Sequence, residues 1–139
     1  MFQNILVPVD FSEKNKQALD IAFELANQSE GRVRLLHVIE IIATATFDEF
    51  EDFYLRLEER AREKMDDLIA PYQSGEARLE ERIVYGNRTQ AILEFAADYG
   101  IDLIVMSSHQ VDPDDPATGW GTISYKVGIL AACPIMLVK

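Results

Sequence analysis

Two spacings of apolar residues alternate along the chain. Residues 4–9, 33–39 and 101–106, and the segment Ile135–Val138, are short and mostly apolar, the pattern of strands buried on both faces. Residues 77–85 form a fifth run, interrupted by Arg78, Glu80, Glu81 and Arg82, and so suited to a sheet edge. Between these runs apolar residues recur every three or four positions, which predicts amphipathic helices. The first carries Ala18, Leu19, Ala22, Leu25 and Ala26, with Ser12 as its expected cap and Gly31 as its break. The second is the longest, with Phe47, Phe50, Tyr54, Leu57, Ala61, Met65 and Leu68 on one face, ending before Pro71. That aromatic stripe is expected to pack on the chain's own sheet. Asn87, with Gln90 in capping-box spacing, opens a third helix bearing Ala91, Ile92, Phe95 and Ala96, which stops at Gly100. Ile123, Val127, Leu130 and Ala131 mark a fourth.

Strict alternation of strand and helix predicts a single α/β domain over residues 1–139, a doubly wound, mainly parallel five-stranded sheet with helices on both faces. The almost wholly apolar first and fourth strands belong in the middle and the polar third at an edge, which the Rossmann-like order 3-2-1-4-5 satisfies. That order puts the topological switch point between strands one and four, which end at Asp10 and Ser107.

The stretch from Ile101 to Leu130 carries the candidate chemistry. A buried strand runs into Ser107, Ser108, His109 and Gln110; a loop with Asp112, Asp114, Asp115 and two prolines follows; then Gly121 and Thr122 open a helix. A strand ending in small residues opposite a Gly-Thr helix start offers free backbone N–H groups and a helix dipole to an anion. Handling of a nucleotide or phosphate is the first functional expectation. Trp120 adjoins this site, and residues 111–120 are expected to be its most mobile segment.

Charge narrows the partners. Lys and Arg number 13 against 24 Asp and Glu, a net charge of −11, which argues against a nucleic-acid surface. Hydrophobic residues make up 48% and charged residues 27%, as in a soluble globular protein. No uncharged run approaches the ~20 residues of a membrane span, and the N-terminus has no basic leader, so a cytoplasmic location is expected. Cys133 is the single cysteine, which rules out an internal disulfide and is expected as a packed thiol. No Walker A sequence, no His-x-Gly-His and no G-x-S-x-G elbow is present, so no catalytic residue is assigned. A response-regulator reading fails because Tyr85-Gly86-Asn87 stands where an acid should end the third strand. His37, inside an apolar strand, reads as structural. Asp112, Asp114 and Asp115 lack metal-ligand spacing, so no metal site is assigned.

The segments NILVPVDFSEKNKQAL, LLHVIE, DLIVMSSHQ and GTISYKVGILAACPIMLVK together resemble the universal stress protein family over nearly the whole chain. The resemblance implies a stress-response regulatory module that binds ATP, with Mg as a possible companion, at the ends of strands one and four. Carried over, Pro8, Val9, Asp10 and the backbone near Val38 would meet the adenosine. Ser107, Ser108, His109 and Gln110, with Gly121, Thr122 and Ile123, would meet the ribose and phosphates. The family's nucleotide-binding branch has Gly-x-x-Gly, nine residues, then Gly-Ser or Gly-Thr. Here Ser107 and Gln110 replace the two glycines, and residues 111–120 make ten. Two readings therefore stand: a nucleotide-binding regulator, and a dimeric interaction module with a degenerate pocket, each acting with a still unidentified protein partner. The resemblance also implies a homodimer through Ile135–Val138, and an apolar edge strand needs such a cover. Turnover is not expected, a slow ATPase being the remote exception, because no positioned general base is evident.

Overall fold

The computed structural model describes residues 1–41, 48–109, 113–114 and 122–139. Their strands are β1 (Asn4–Pro8), β2 (Arg32–Glu40), β3 (Arg78–Gly86), β4 (Leu103–Ser107) and β5 (Ile135–Val138). Their α-helices are α1 (Lys14–Ser29), α2 (Glu51–Ile69), α3 (Arg88–Asp98) and α4 (Ile123–Leu130). One parallel sheet of order β3-β2-β1-β4-β5 results, as strand polarity predicts. The most apolar strand, β1, lies at the centre with Ile5, Leu6 and Val7 fully buried.

Alternating side chains of the sheet feed two cores. Ile5, Val7, Val33, Leu35 and Val105 pack with Leu19 and Ala22 of α1 and Met65 of α2. Leu6, Leu36, Val38, Ile104 and Met106 pack with Ile92 and Phe95 of α3 and Val127 of α4. Because the strands are parallel and each of these helices follows a strand, the helix N-termini lie towards the carboxyl end of the sheet.

Several local expectations need correction. Ser12 does not cap α1; Glu13 stands at the cap position with no side-chain cap bond, and the Ser12 carbonyl accepts from the Asn15 N–H instead. The left-handed residue ending α1 is Glu30, φ 54°, not Gly31. Gly31 is required one position later by close approach: a Cβ there would lie 2.9 Å from the Gln3 carbonyl oxygen. Asn87 caps α3 by accepting from the Gln90 N–H at 3.0 Å, but the Gln90 side chain turns to Glu94, so the capping box is half formed. The stripe of α2 packs on the sheet only from Tyr54 onward; Phe50 is 39% exposed, and Phe53 beside it 44%. Phe47 lies outside the described residues. Leu130, expected in the core, is 62% exposed because α4 ends there and its buried face is Ser124 and Val127.

Candidate functional site

At the switch point the chain turns sharply after β1. The Val9 N–H donates to the Leu36 carbonyl at 2.9 Å, which holds the strand end against β2. Asp10 and Phe11 then leave the sheet, with Phe11 in the left-handed region at φ 67°. This strained turn is held by one buried amide. Asn15 Oδ1 accepts from the Asp10 N–H at 3.0 Å and the Phe11 N–H at 2.7 Å, while its Nδ2 donates to Ser107 Oγ at 3.0 Å. The Asp10 carboxylate accepts from the Ser12 N–H at 2.9 Å.

On the other side of the crevice β4 ends at Ser107. The Ser108 N–H donates to the Val138 carbonyl at 2.8 Å, and the Ser108 carbonyl accepts from Lys14 Nζ at 2.9 Å. Ser108 Oγ and Ser124 Oγ are 3.0 Å apart, and Thr122 Oγ1 lies 3.4 Å from Ser124 Oγ. Thr122 occupies the N-cap position of α4 with extended backbone (φ −76°, ψ 160°). The His109 carbonyl accepts from the Tyr125 hydroxyl at 2.8 Å and from Lys139 Nζ at 3.2 Å.

These elements enclose a cavity of about 380 Å³. Its floor is apolar, made by Leu36, Val38, Ile92 and Met106; its rim is polar, made by Asp10, Lys14, Asn15, Arg88, Ser108 and Ser124. An apolar floor with a few convergent polar groups is the usual constitution of a small-molecule site. The fold brings Pro8, Val9, Asp10, Val38, Ser107, Ser108, His109, Thr122 and Ile123 to this one cavity. Gln110 and Gly121, with Asp112, Asp115 and Trp120, lie outside the described residues.

Electrostatics divides the rim. Burial raises the Asp10 pKa, but hydrogen bonds from the Ser12 backbone and hydroxyl, helped by the Arg88 charge, outweigh it and leave the carboxyl below its ordinary value. Asp10 is therefore ionised at neutral pH. His37 moves the other way for a base: burial lowers its pKa, and the Val9 carbonyl only partly restores it. Its Nδ1 lies 2.9 Å from that carbonyl, which can only accept, so Nδ1 carries a proton, and the lowered pKa keeps the ring neutral at pH 7. His37 thus supports the wall and does not line the cavity. Cys133 is partly buried, and burial raises its thiol pKa, as suits a packed cysteine.

Lys14, Asn15 and Arg88 were not singled out by the sequence reading, although a signal existed. In a doubly wound sheet every helix begins at the ligand end. A cation in the first turn of α1 or α3 is thereby placed at the crevice, whatever its local sequence. Among the described residues no group of three or more His, Cys, Asp or Glu side chains is arranged to hold a metal ion. Nor is any described helix long and apolar enough to cross a membrane.

Comparison with known proteins agrees with this architecture. The family model described as "Universal stress protein family" matches residues 1–139. A universal stress protein of Bacillus subtilis is 27% identical, with all of both chains covered. The solved structure of a universal stress protein of Methanocaldococcus jannaschii superposes with a TM-score of 0.83 at 26% identity, covering 100% of this chain and 97% of that one. A universal stress protein of Archaeoglobus fulgidus, solved in complex with dAMP, has a TM-score of 0.70 at 19% identity with both chains fully covered. Sheet order, the crevice between β1 and β4 and a family match along the full chain lead to one assignment: this chain belongs to the universal stress protein family.

Proposed function

We propose that this chain is a regulatory module of the cytoplasm that binds an adenine nucleotide at the β1/β4 crevice and acts as a homodimer, by association and not by turnover. The observation that carries the nucleotide reading is the constitution of the cavity: apolar Leu36, Val38, Ile92 and Met106 for a base, with Lys14, hydroxyls and the start of α4 lining the same space. The base would rest on Val38 and Ile92 near Pro8, Val9 and Asp10. The phosphate would meet Ser107, Ser108, His109 and the Thr122–Ile123 turn, where the positive end of a helix dipole favours an anion. Gln110 and Gly121 complete the candidate set by resemblance. The dAMP complex of the Archaeoglobus protein, which shares this fold, supports an adenine nucleotide as the ligand class.

A regulatory role fits the polar groups of the crevice. The Ser108 hydroxyl is hydrogen-bonded to Ser124 and to its neighbouring carbonyl, not to a histidine that would activate it. His37 is committed to Val9. The homodimer reading rests on β5, which pairs with β4 on one side and stands last in the sheet.

Mass spectrometry of ligand released from freshly purified protein, followed by calorimetry with AMP, ADP and ATP with and without Mg, tests the reading. Retained or titrated adenine nucleotide is the expected result. No released nucleotide, no heat and no thermal shift at millimolar nucleotide would leave the dimeric interaction module as the function.

A further inference from the structure

We infer that the crevice selects a nucleoside monophosphate over a triphosphate, and that Lys14 is the residue that reads the phosphate. The inference rests on the nucleotide reading above and specifies its ligand.

Two cations line the cavity, and they are not equivalent. Arg88 Nε lies 3.7 Å from the Glu40 carboxylate, so its charge is already matched. Lys14 forms no ion pair among the described residues; its Nζ is held at 2.9 Å by the neutral Ser108 carbonyl. Lys16, two residues on and not among the residues lining the cavity, is paired with Glu13. A carbonyl keeps the ammonium in place without neutralising it. A phosphate oxygen is a stronger, charge-assisted acceptor, so exchanging Ser108 for phosphate is favourable. Lys14 also opens α1, whose positive dipole end faces the same crevice as the start of α4.

The same accounting limits the ligand's charge. The described wall offers one uncompensated positive group, while Asp10 contributes an ionised carboxylate to the same cavity. One phosphate is matched by Lys14. Among the described residues a second and third find no further unpaired cation, only hydroxyls and the N–H groups at the start of α4, and they add repulsion from Asp10 and from the acidic molecule as a whole. A triphosphate would need a divalent cation to bring its own neutralisation.

Calorimetry with adenosine, AMP and ATP in Mg-free buffer, on the unmodified protein and on Lys14→Met and Lys14→Arg, tests this. AMP is expected to bind at least about tenfold more tightly than ATP, the worth of one charge-assisted contact set against added repulsion. Lys14→Met should lower AMP affinity by about tenfold or more and leave adenosine affinity unchanged, which a merely structural role would not do. Lys14→Arg should restore most of the loss. ATP binding as tightly as AMP without Mg would overturn the selectivity while leaving the nucleotide reading intact. Equal AMP affinity in Lys14→Met would overturn the role of Lys14. Absence of binding by adenosine, AMP and ATP alike would remove the nucleotide reading and this inference with it.

Discussion

At the scale of single residues, the crevice depends on a buried amide and a neutral imidazole. Asn15 is 1% exposed and ties the β1 turn to the end of β4. Asn15→Ala would orphan the Asp10 and Phe11 N–H groups and release the left-handed Phe11 turn. A loss of about 2–3 kcal/mol is expected in urea unfolding, together with weakened ligand binding. His37 gives a pH test with a definite sign. Its folded pKa lies below the unfolded value of about 6.5. The unfolded chain therefore takes up the proton first as pH falls, and stability declines from near pH 7 down to the folded pKa. His37→Gln, which does not titrate, should flatten that part of the stability profile. Asp10 acts in a lower window: its depressed pKa contributes stability that is lost only as pH falls below the ordinary carboxylate range. An unchanged slope between pH 7 and pH 5 in His37→Gln would show that His37 is not the titrating group.

At the scale of elements, the ends of α1 and α2 show where sequence reading succeeds and where it stops. Periodicity located α1, because Ala18, Leu19, Ala22 and Ala26 must all face the sheet. The glycine near its end misled by one position, since a helix break and a tight approach leave the same residue in the sequence. Glu30 holds the left-handed conformation and Gly31 the narrow gap beside Gln3. Two substitutions separate these roles. Glu30→Gly should stabilise the protein by about 0.5–1 kcal/mol, the cost of a left-handed non-glycine residue less glycine's added freedom when unfolded. Gly31→Ala should destabilise it by about 1–3 kcal/mol, because the methyl group meets backbone that cannot move alone. Opposite signs in paired denaturation curves are the expected outcome. The candidate site was legible to the same degree. Strand ends named Asp10 and Ser107, but Lys14 and Arg88 enter through helix starts, which become crevice residues only once the winding of the sheet is known. The exposed first turn of α2 was illegible for a different reason: an aromatic stripe has the same spacing whether or not the sheet reaches it.

At the scale of the molecule, the hydrogen-bond register of β5 decides how a dimer can form. In a parallel pair, alternate residues direct their N–H and C=O groups to one neighbour. The Ile104 N–H donates to the Pro134 carbonyl and the Ser108 N–H to the Val138 carbonyl, so residues 134, 136 and 138 face β4. Ile135 and Leu137 therefore present their backbone groups to the open side, and Met136, despite its half-exposed side chain, does not. Removing an N–H at Met136 would break the sheet inside one copy. The informative pair is Leu137→Pro and Leu137→Ala. Both lose the same packing against the α3/α4 core, but only proline deletes the outward donor. Ile129, 73% exposed on α4 just before β5, adds apolar surface that a second copy would cover. The net charge of −11 opposes association, so the dimer should tighten as salt screens the repulsion. Light scattering should return a dimer for the unmodified protein and for Leu137→Ala, and monomer for Leu137→Pro at the same concentration. A 15.8 kDa particle for the unmodified protein in moderate salt would overturn the assembly, and a dimeric Leu137→Pro would move the interface away from β5.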